Sequence, residues 1–199
     1  MPKVKLISSK TLFKKFVGVD ELHFELIEQK TNIRRFVVTR PDASAILIFN
    51  KSSNKIVLIR QFRAAVFTKN NDGFVWEVPA GVIENNESAE QTIIRETLEE
   101  TGYKISLPKH LSTFFPSCGL LNEKIHLFYA EVENKDKIQK GGGLDSENEY
   151  LEVVEFPVEK VFEMLEKGEF IDGKTLLSIF YFKNYLNSAS KKTIKFYDF

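Results

Sequence analysis

Four glutamates between Gly81 and Tyr103, in the run GVIENNESAEQTIIRETLEETGY, are spaced so that their carboxylates could work together. Glu96 and Glu100 are four residues apart, which puts their side chains one helical turn above each other. Glu99 shares that face, and Glu87 adds a carboxylate at the mouth of the segment. Two like charges about 5 Å apart repel by roughly 3 kcal/mol at an effective dielectric of 20. Arg95 can neutralise one carboxylate but not four. A hard divalent cation is the natural counter-charge, because oxygen donors suit Mg2+ or Mn2+. The plain alternative is a solvated, Glu-rich helix face.

The elements that would carry these groups are legible. Ser88 and Gln91 have the S-x-x-Q spacing of a capping box, which starts a helix at Ser88. Gly102 stands where a left-handed residue would close it. At about 100° per residue, Ile93, Ile94, Thr97, Leu98 and Thr101 fall on one side and Glu96, Glu99 and Glu100 on the other. Upstream, Phe74–Ala80 is expected as one strand running straight into Gly81, with Pro79 at its end where no ladder N–H is needed. Ala45–Phe49 is a continuous apolar run, hence a buried strand, and Ile56–Ile59 returns as its hairpin partner. The segment 67–73 is expected as a polar loop. Ile105 with Leu107 predicts an edge strand, Leu111 to Phe115 another, and Ile125–Val132 a strong one. Helices are expected from Pro157 to about Lys167 and from Lys174 to about Asn187. Residues 1–42 alternate as short strands too few to bury a core alone. The glycines Gly141–Gly143 sit in a long loop and are expected to act as a hinge.

Composition narrows the classes. The chain has 199 residues, with 28 Lys plus Arg against 28 Asp plus Glu, so no global field draws nucleic acid. One cysteine, Cys118, excludes an internal disulfide and fits a reducing compartment, with cytoplasm as the expectation. No stretch approaches 18 apolar residues, so no membrane span is expected. His126, in an apolar strand, is expected to be a core or edge histidine.

The offsets G-x5-E-x7-R-E-x-x-E-E-x-G are met by Gly81, Glu87, Arg95, Glu96, Glu99, Glu100 and Gly102. They resemble the signature of the Nudix hydrolases, which cleave a nucleoside diphosphate linked to another group. The likeness covers roughly residues 44 to 187. Its segments IRQFRAA (59–65), EVPAG (77–81), GGGLDSENEYLEVVEF (141–156) and DGKTLL (172–177) resemble the nucleotide-sugar branch of that family. GDP-mannose pyrophosphatases are the nearer group within it, and ADP-ribose and UDP-sugar pyrophosphatases come next. Two positions depart from the pattern: Thr97 and Tyr103 stand where bulky aliphatics are usual, and both concern packing behind the helix.

The resemblance implies an α/β Nudix fold, a mixed β-sheet sandwiched between helices. It divides the chain into an N-terminal antiparallel β subdomain (1–42) and a hydrolase domain (43–199), and implies a homodimer in which the N-terminal sheet reaches over the partner. It places metal ligands at Glu96, Glu100, the backbone carbonyl of Ala80 and Glu149. Glu147 matches a loop glutamate that serves as general base, Glu99 would share a bridging metal, and Glu87 would hold Arg95 and orient the box. Arg63 matches a position that contacts the substrate diphosphate, and Glu123 follows a loop that holds the terminal sugar. The expected activity is Mg2+-dependent hydrolysis of a nucleoside diphosphate sugar, GDP-mannose first, to a nucleoside monophosphate and a sugar 1-phosphate. ADP-ribose or UDP-glucose is the alternative substrate. The S-P-G-G loop of ADP-ribose enzymes is replaced here by Ser117-Cys118-Gly119-Leu120. A ligand-sensing Nudix domain without turnover is the alternative from another class.

Overall fold

The structure, a computed structural model, describes residues 3–143 and 150–190. Two sheets make up its β structure. The strands β1 (Val4–Lys14), β2 (Gly18–Leu26) and β3 (Thr31–Thr39) form an antiparallel sheet of their own. The second sheet has seven strands: β4 (Ala43–Asn50), β5 (Lys55–Phe62), β6 (Phe74–Glu77), β7 (Ala80–Val82), β8 (Lys109–Phe114), β9 (Ile125–Val132) and β10 (Leu151–Pro157). Its main path runs β10-β5-β4-β9-β8, with β6 on β5 and β7 on β4. β4 and β9 are parallel and every other pairing is antiparallel, so the sheet is mixed.

Strand alternation sorts the core into two layers. Ala45 and Leu47 of β4, with Ile56 and Leu58 of β5, face α3 (Val158–Glu166) and α4 (Gly173–Ser190). Ile46 and Ile48, with Val57, face the opposite way and receive Ile93 and Tyr103. The expected arrangement of a mixed sheet between helices, with N-terminal antiparallel strands, is what the chain adopts.

Three local expectations change. The segment before β6 is not a loop throughout: α1 (Ala64–Asn70) occupies most of it, closed by Asn71 at φ 56°. Ala64 and Ala65 are strong helix formers, and the carbonyl of Arg63 accepts the amides of Val66 and Phe67. The strand expected to run unbroken into Gly81 is split, because the chain leaves β5 at Glu77 and joins β4 at Ala80. Val78 and Pro79 make the crossing. Ile105 and Leu107 form no strand; Ile105 turns into the core and Leu107 stays exposed.

Candidate active site

The box helix starts as its capping chemistry dictates. Ser88 accepts the amide of Gln91, and the Gln91 side chain accepts the amide of Ser88. α2 (Ala89–Glu96) follows, and then the backbone widens into a π-turn over Thr97–Thr101 that ends at Gly102 with φ 77°. Such turns recur at functional sites because the added residue per turn redirects side chains. That is its effect here. An ideal α-helix would put Glu100 on the outer face with Glu96 and Glu99, whereas the wider turn buries it, leaving 1% exposed. The two departures from the family pattern seat this turn. Thr97 is buried and donates to the carbonyl of Ile93, while Tyr103 is buried with its hydroxyl donating to Glu155 at 2.7 Å.

Glu96 and Glu100 converge on one dipeptide. The amide of Ala80 donates to Oε2 of Glu100 at 3.0 Å. The Glu96 carboxyl lies so close over Gly81 that a β-carbon there would come within 2.0 Å of it. Gly81 is therefore fixed as glycine by contact, and its own φ needs no left-handed freedom. The short strand β7 brings this dipeptide to the helix by pairing with β4.

Arg95 reaches further than its single charge suggests. Its guanidinium donates to both oxygens of Glu87 at 3.0 Å, and to Glu96 and Glu99 at 2.9 Å each. Five donors on a rigid fork let this one residue hydrogen-bond three carboxylates while supplying a single positive charge. The charge argument survives, since one guanidinium against four carboxylates leaves the cluster net negative. Arg95 and Thr92 together hold the Glu87 carboxyl down at about 2. Among the described residues no three Asp, Glu, His or Cys side chains are already gathered round one point. Glu147 and Glu149, named from the resemblance, lie outside the described residues.

Arg63 is placed by the start of α1 and forks onto Glu77 with two bonds of 2.7 Å. Glu77 also receives Lys174 at 2.5 Å, and Lys174 lies 3.0 Å from Asp172. Burial opposes charge on Glu77, but Arg63 and Lys174 outweigh it and hold its carboxyl below the usual range. Glu123 is buried, 3.3 Å from Nε of Arg40. Burial raises its carboxyl above the ordinary range, against the pull of Arg40 and then Lys174. Lys174 and Glu77 were missed as individuals, although DGKTLL and EVPAG contain them. The available signal was a lysine opening an apolar helix and a glutamate inside a core strand, each of which needs a partner when buried.

The three glycines Gly141–Gly143 do not hang free as a hinge. The amides of Gly142 and Gly143 donate to the carbonyls of Glu100 (2.8 Å) and Glu99 (3.3 Å). A cleft of about 1110 Å³ opens beside them, lined by Arg60, Phe74, Lys137 and Tyr150 among others, and none of the box carboxylates is in its wall. His126 lies on β9, one strand in from the edge, and shares a 3.0 Å hydrogen bond with the Thr113 hydroxyl of the edge strand β8. Cys118 is a free, exposed thiol. Among the described residues no helix is long and apolar enough to cross a membrane.

Comparison with known proteins agrees with this geometry. The NUDIX domain model matches residues 38–178. A GDP-mannose pyrophosphatase of Citrobacter koseri is 34% identical over 192 residues, covering 94% of this chain and 97% of that protein. The GDP-mannose pyrophosphatase of Salmonella typhimurium is 33% identical over 190 residues, covering 94% and 96%. A crystal structure described as an ADP compounds hydrolase superposes with a TM-score of 0.75 at 18% identity, over 95% of this chain and 97% of that one, which speaks to the fold alone. With Glu96 and Glu100 of the signature brought to Ala80–Gly81 and relatives matched over nearly their full length, the chain belongs to the Nudix family and is a Nudix hydrolase.

Proposed function

We propose that this Nudix hydrolase is a divalent-metal-dependent pyrophosphohydrolase of nucleoside diphosphate sugars, with GDP-mannose as the preferred substrate. The convergence of Glu96 and Glu100 on the Ala80–Gly81 backbone carries the reading. Two hard carboxylates and a peptide group meet there in a cluster that stays net negative after Arg95 is counted, which suits Mg2+ or Mn2+. Glu96, Glu100, the carbonyl of Ala80 and Glu149 are the groups that would hold it, with Glu99 able to share a second ion. When bound, such a cation would supply Lewis-acid charge to the diphosphate and acidify water.

The remaining work falls to the protein. Glu87 fixes Arg95, and Arg95 holds the carboxylates of Glu96 and Glu99 in place. Arg63 keeps a solvent-facing side while tied to Glu77, so its remaining N–H donors can meet a phosphate. Glu147 takes the proton of the attacking water. The new bond joins water oxygen to phosphorus, the bridging P–O bond breaks, and the products are a nucleoside monophosphate and a sugar 1-phosphate. Glu123, buried against Arg40, serves the sugar end of the substrate.

The same reading includes a homodimer. All of β1 is solvent-exposed, including Leu6 at 52% and Phe13 at 45%, so its apolar side chains are left without cover in the single chain. A reducing compartment, the cytoplasm, fits the free thiol of Cys118.

The test is a panel of GDP-mannose, ADP-ribose and UDP-glucose with Mg2+, followed by release of monophosphate. GDP-mannose should give the highest kcat/KM, and Glu100→Gln should lower turnover at least about a thousand-fold, the loss expected for several kcal/mol of cation-borne stabilisation. Near-wild-type rates in Glu100→Gln would show that the chemistry is held elsewhere. No turnover of any compound would leave a ligand-sensing domain.

A further inference from the structure

The π-turn that buries Glu100 has a weak point. Carbonyls at the end of a helix lack partners within it and must find them elsewhere. Here they find them on one later segment. Ile138 and Gln139 donate to the carbonyl of Gly102 at 2.9 and 3.2 Å, Gly142 donates to that of Glu100, and Gly143 to that of Glu99. The segment is anchored just before this by the bridge between Tyr103 and Lys137. Its approach is so close that side chains are excluded on both sides. A β-carbon at Gly102 would lie 2.1 Å from the carbonyl oxygen of Gln139, and one at Gly141 would lie 2.6 Å from that of Glu100.

We infer that residues 138–143 form a backbone strap that positions the acidic face, and that Gly141 is a positioning residue for the cation-binding carboxylates. The strap holds the carbonyls of Glu99 and Glu100, and a peptide plane held at its carbonyl fixes the direction of the attached side chain. Glu100 is thus held at two points, its side chain by the Ala80 amide and its own carbonyl by the Gly142 amide. A methyl group at position 141 would press on the Glu100 carbonyl and on the backbone of Thr101. It would turn the carboxylate without touching it. This inference rests on the reading that Glu96 and Glu100 hold a divalent cation.

Mn2+ binding, followed by electron paramagnetic resonance on the substrate-free chain, separates the two ideas. Wild type, Glu100→Gln, Gly141→Ala and Gly168→Ala are compared. Gly168 has φ 70° and open space around it, so its variant suffers the same left-handed backbone strain without a collision. The strap predicts that Gly141→Ala weakens Mn2+ roughly ten- to a hundred-fold, as groups that orient metal ligands do, while Gly168→Ala binds like wild type. Equal binding by Gly141→Ala and wild type overturns the strap and leaves the metal site standing. No Mn2+ bound by wild type at millimolar concentration, or undiminished binding in Glu100→Gln, overturns the metal reading itself, and with it the inference. If Gly141→Ala does not accumulate folded, hydrogen exchange in wild type decides. Protection of the Gly142 amide as strong as that of the β4 amides supports the strap, and exchange at the free-peptide rate overturns it.

Discussion

Arg95 shows how one side chain can organise a cluster that it cannot neutralise. Its fork closes on Glu87 with two bonds, and its Nη1 donates to Glu96 and to Glu99. The pairing has a pH signature. Glu87 falls from an ordinary 4.5 to about 2 in the folded chain. A depressed carboxyl stabilises the fold fully above its unfolded value and loses that contribution as pH falls through the folded one. Stability from this pair should therefore decline between pH 4.5 and about 2. Glu87→Gln should flatten the curve of urea midpoint against pH in that window and leave it lower at neutral pH. An unchanged acid limb in the variant would show that Glu87 does not own the shift.

At the scale of elements, the cap and the π-turn divide the work of setting the box helix. The reciprocal bonds of Ser88 and Gln91 fix where it begins. The turn over Thr97–Thr101, with Gly102 behind it, fixes how it ends and which way Glu100 points. Between them Ile93 seats the helix on Ile46 and Ile48. Ser88→Ala should cost about 1 kcal/mol, the usual effect of losing a side-chain cap. It should appear as a lower urea midpoint at unchanged slope. Because the cap lies at the far end from Glu100, kcat should hold. A large fall in kcat at small cost in stability would mean that the two ends are coupled more tightly than the hydrogen bonds imply.

For the whole molecule, the feature to account for is a sheet outside the main core. β1, β2 and β3 pair with one another, and their backbone ties to the body run through Val38, which bonds Leu120 and Asn122. A three-stranded sheet with apolar side chains in solvent gains by docking. Sedimentation at micromolar concentration should give a mass of two chains. The double variant Leu6→Lys, Phe13→Lys should sediment as one chain with an unchanged far-ultraviolet spectrum. Wild type at the mass of one chain would remove dimerisation from the proposal.

Much of the site could be read along the chain because its logic is local. A capping box acts over three residues, a terminal glycine over one, and the Glu-rich spacing over a single turn, so Ser88, Gly102, Arg95, Glu96, Glu99 and Glu100 announce themselves in order. The strands of the core did so as well, since alternation and apolar runs are properties of neighbours. What needed the tertiary structure were the pairings across long separations. Glu77 meets Lys174 from 97 residues away, and Gly81 is glycine because Glu96 lies against it. The inward turn of Glu100 depends on carbonyls taken up by a segment some forty residues later. Local spacing sets which groups can share a face; only the packed chain decides which of them is turned inward, and what holds it there.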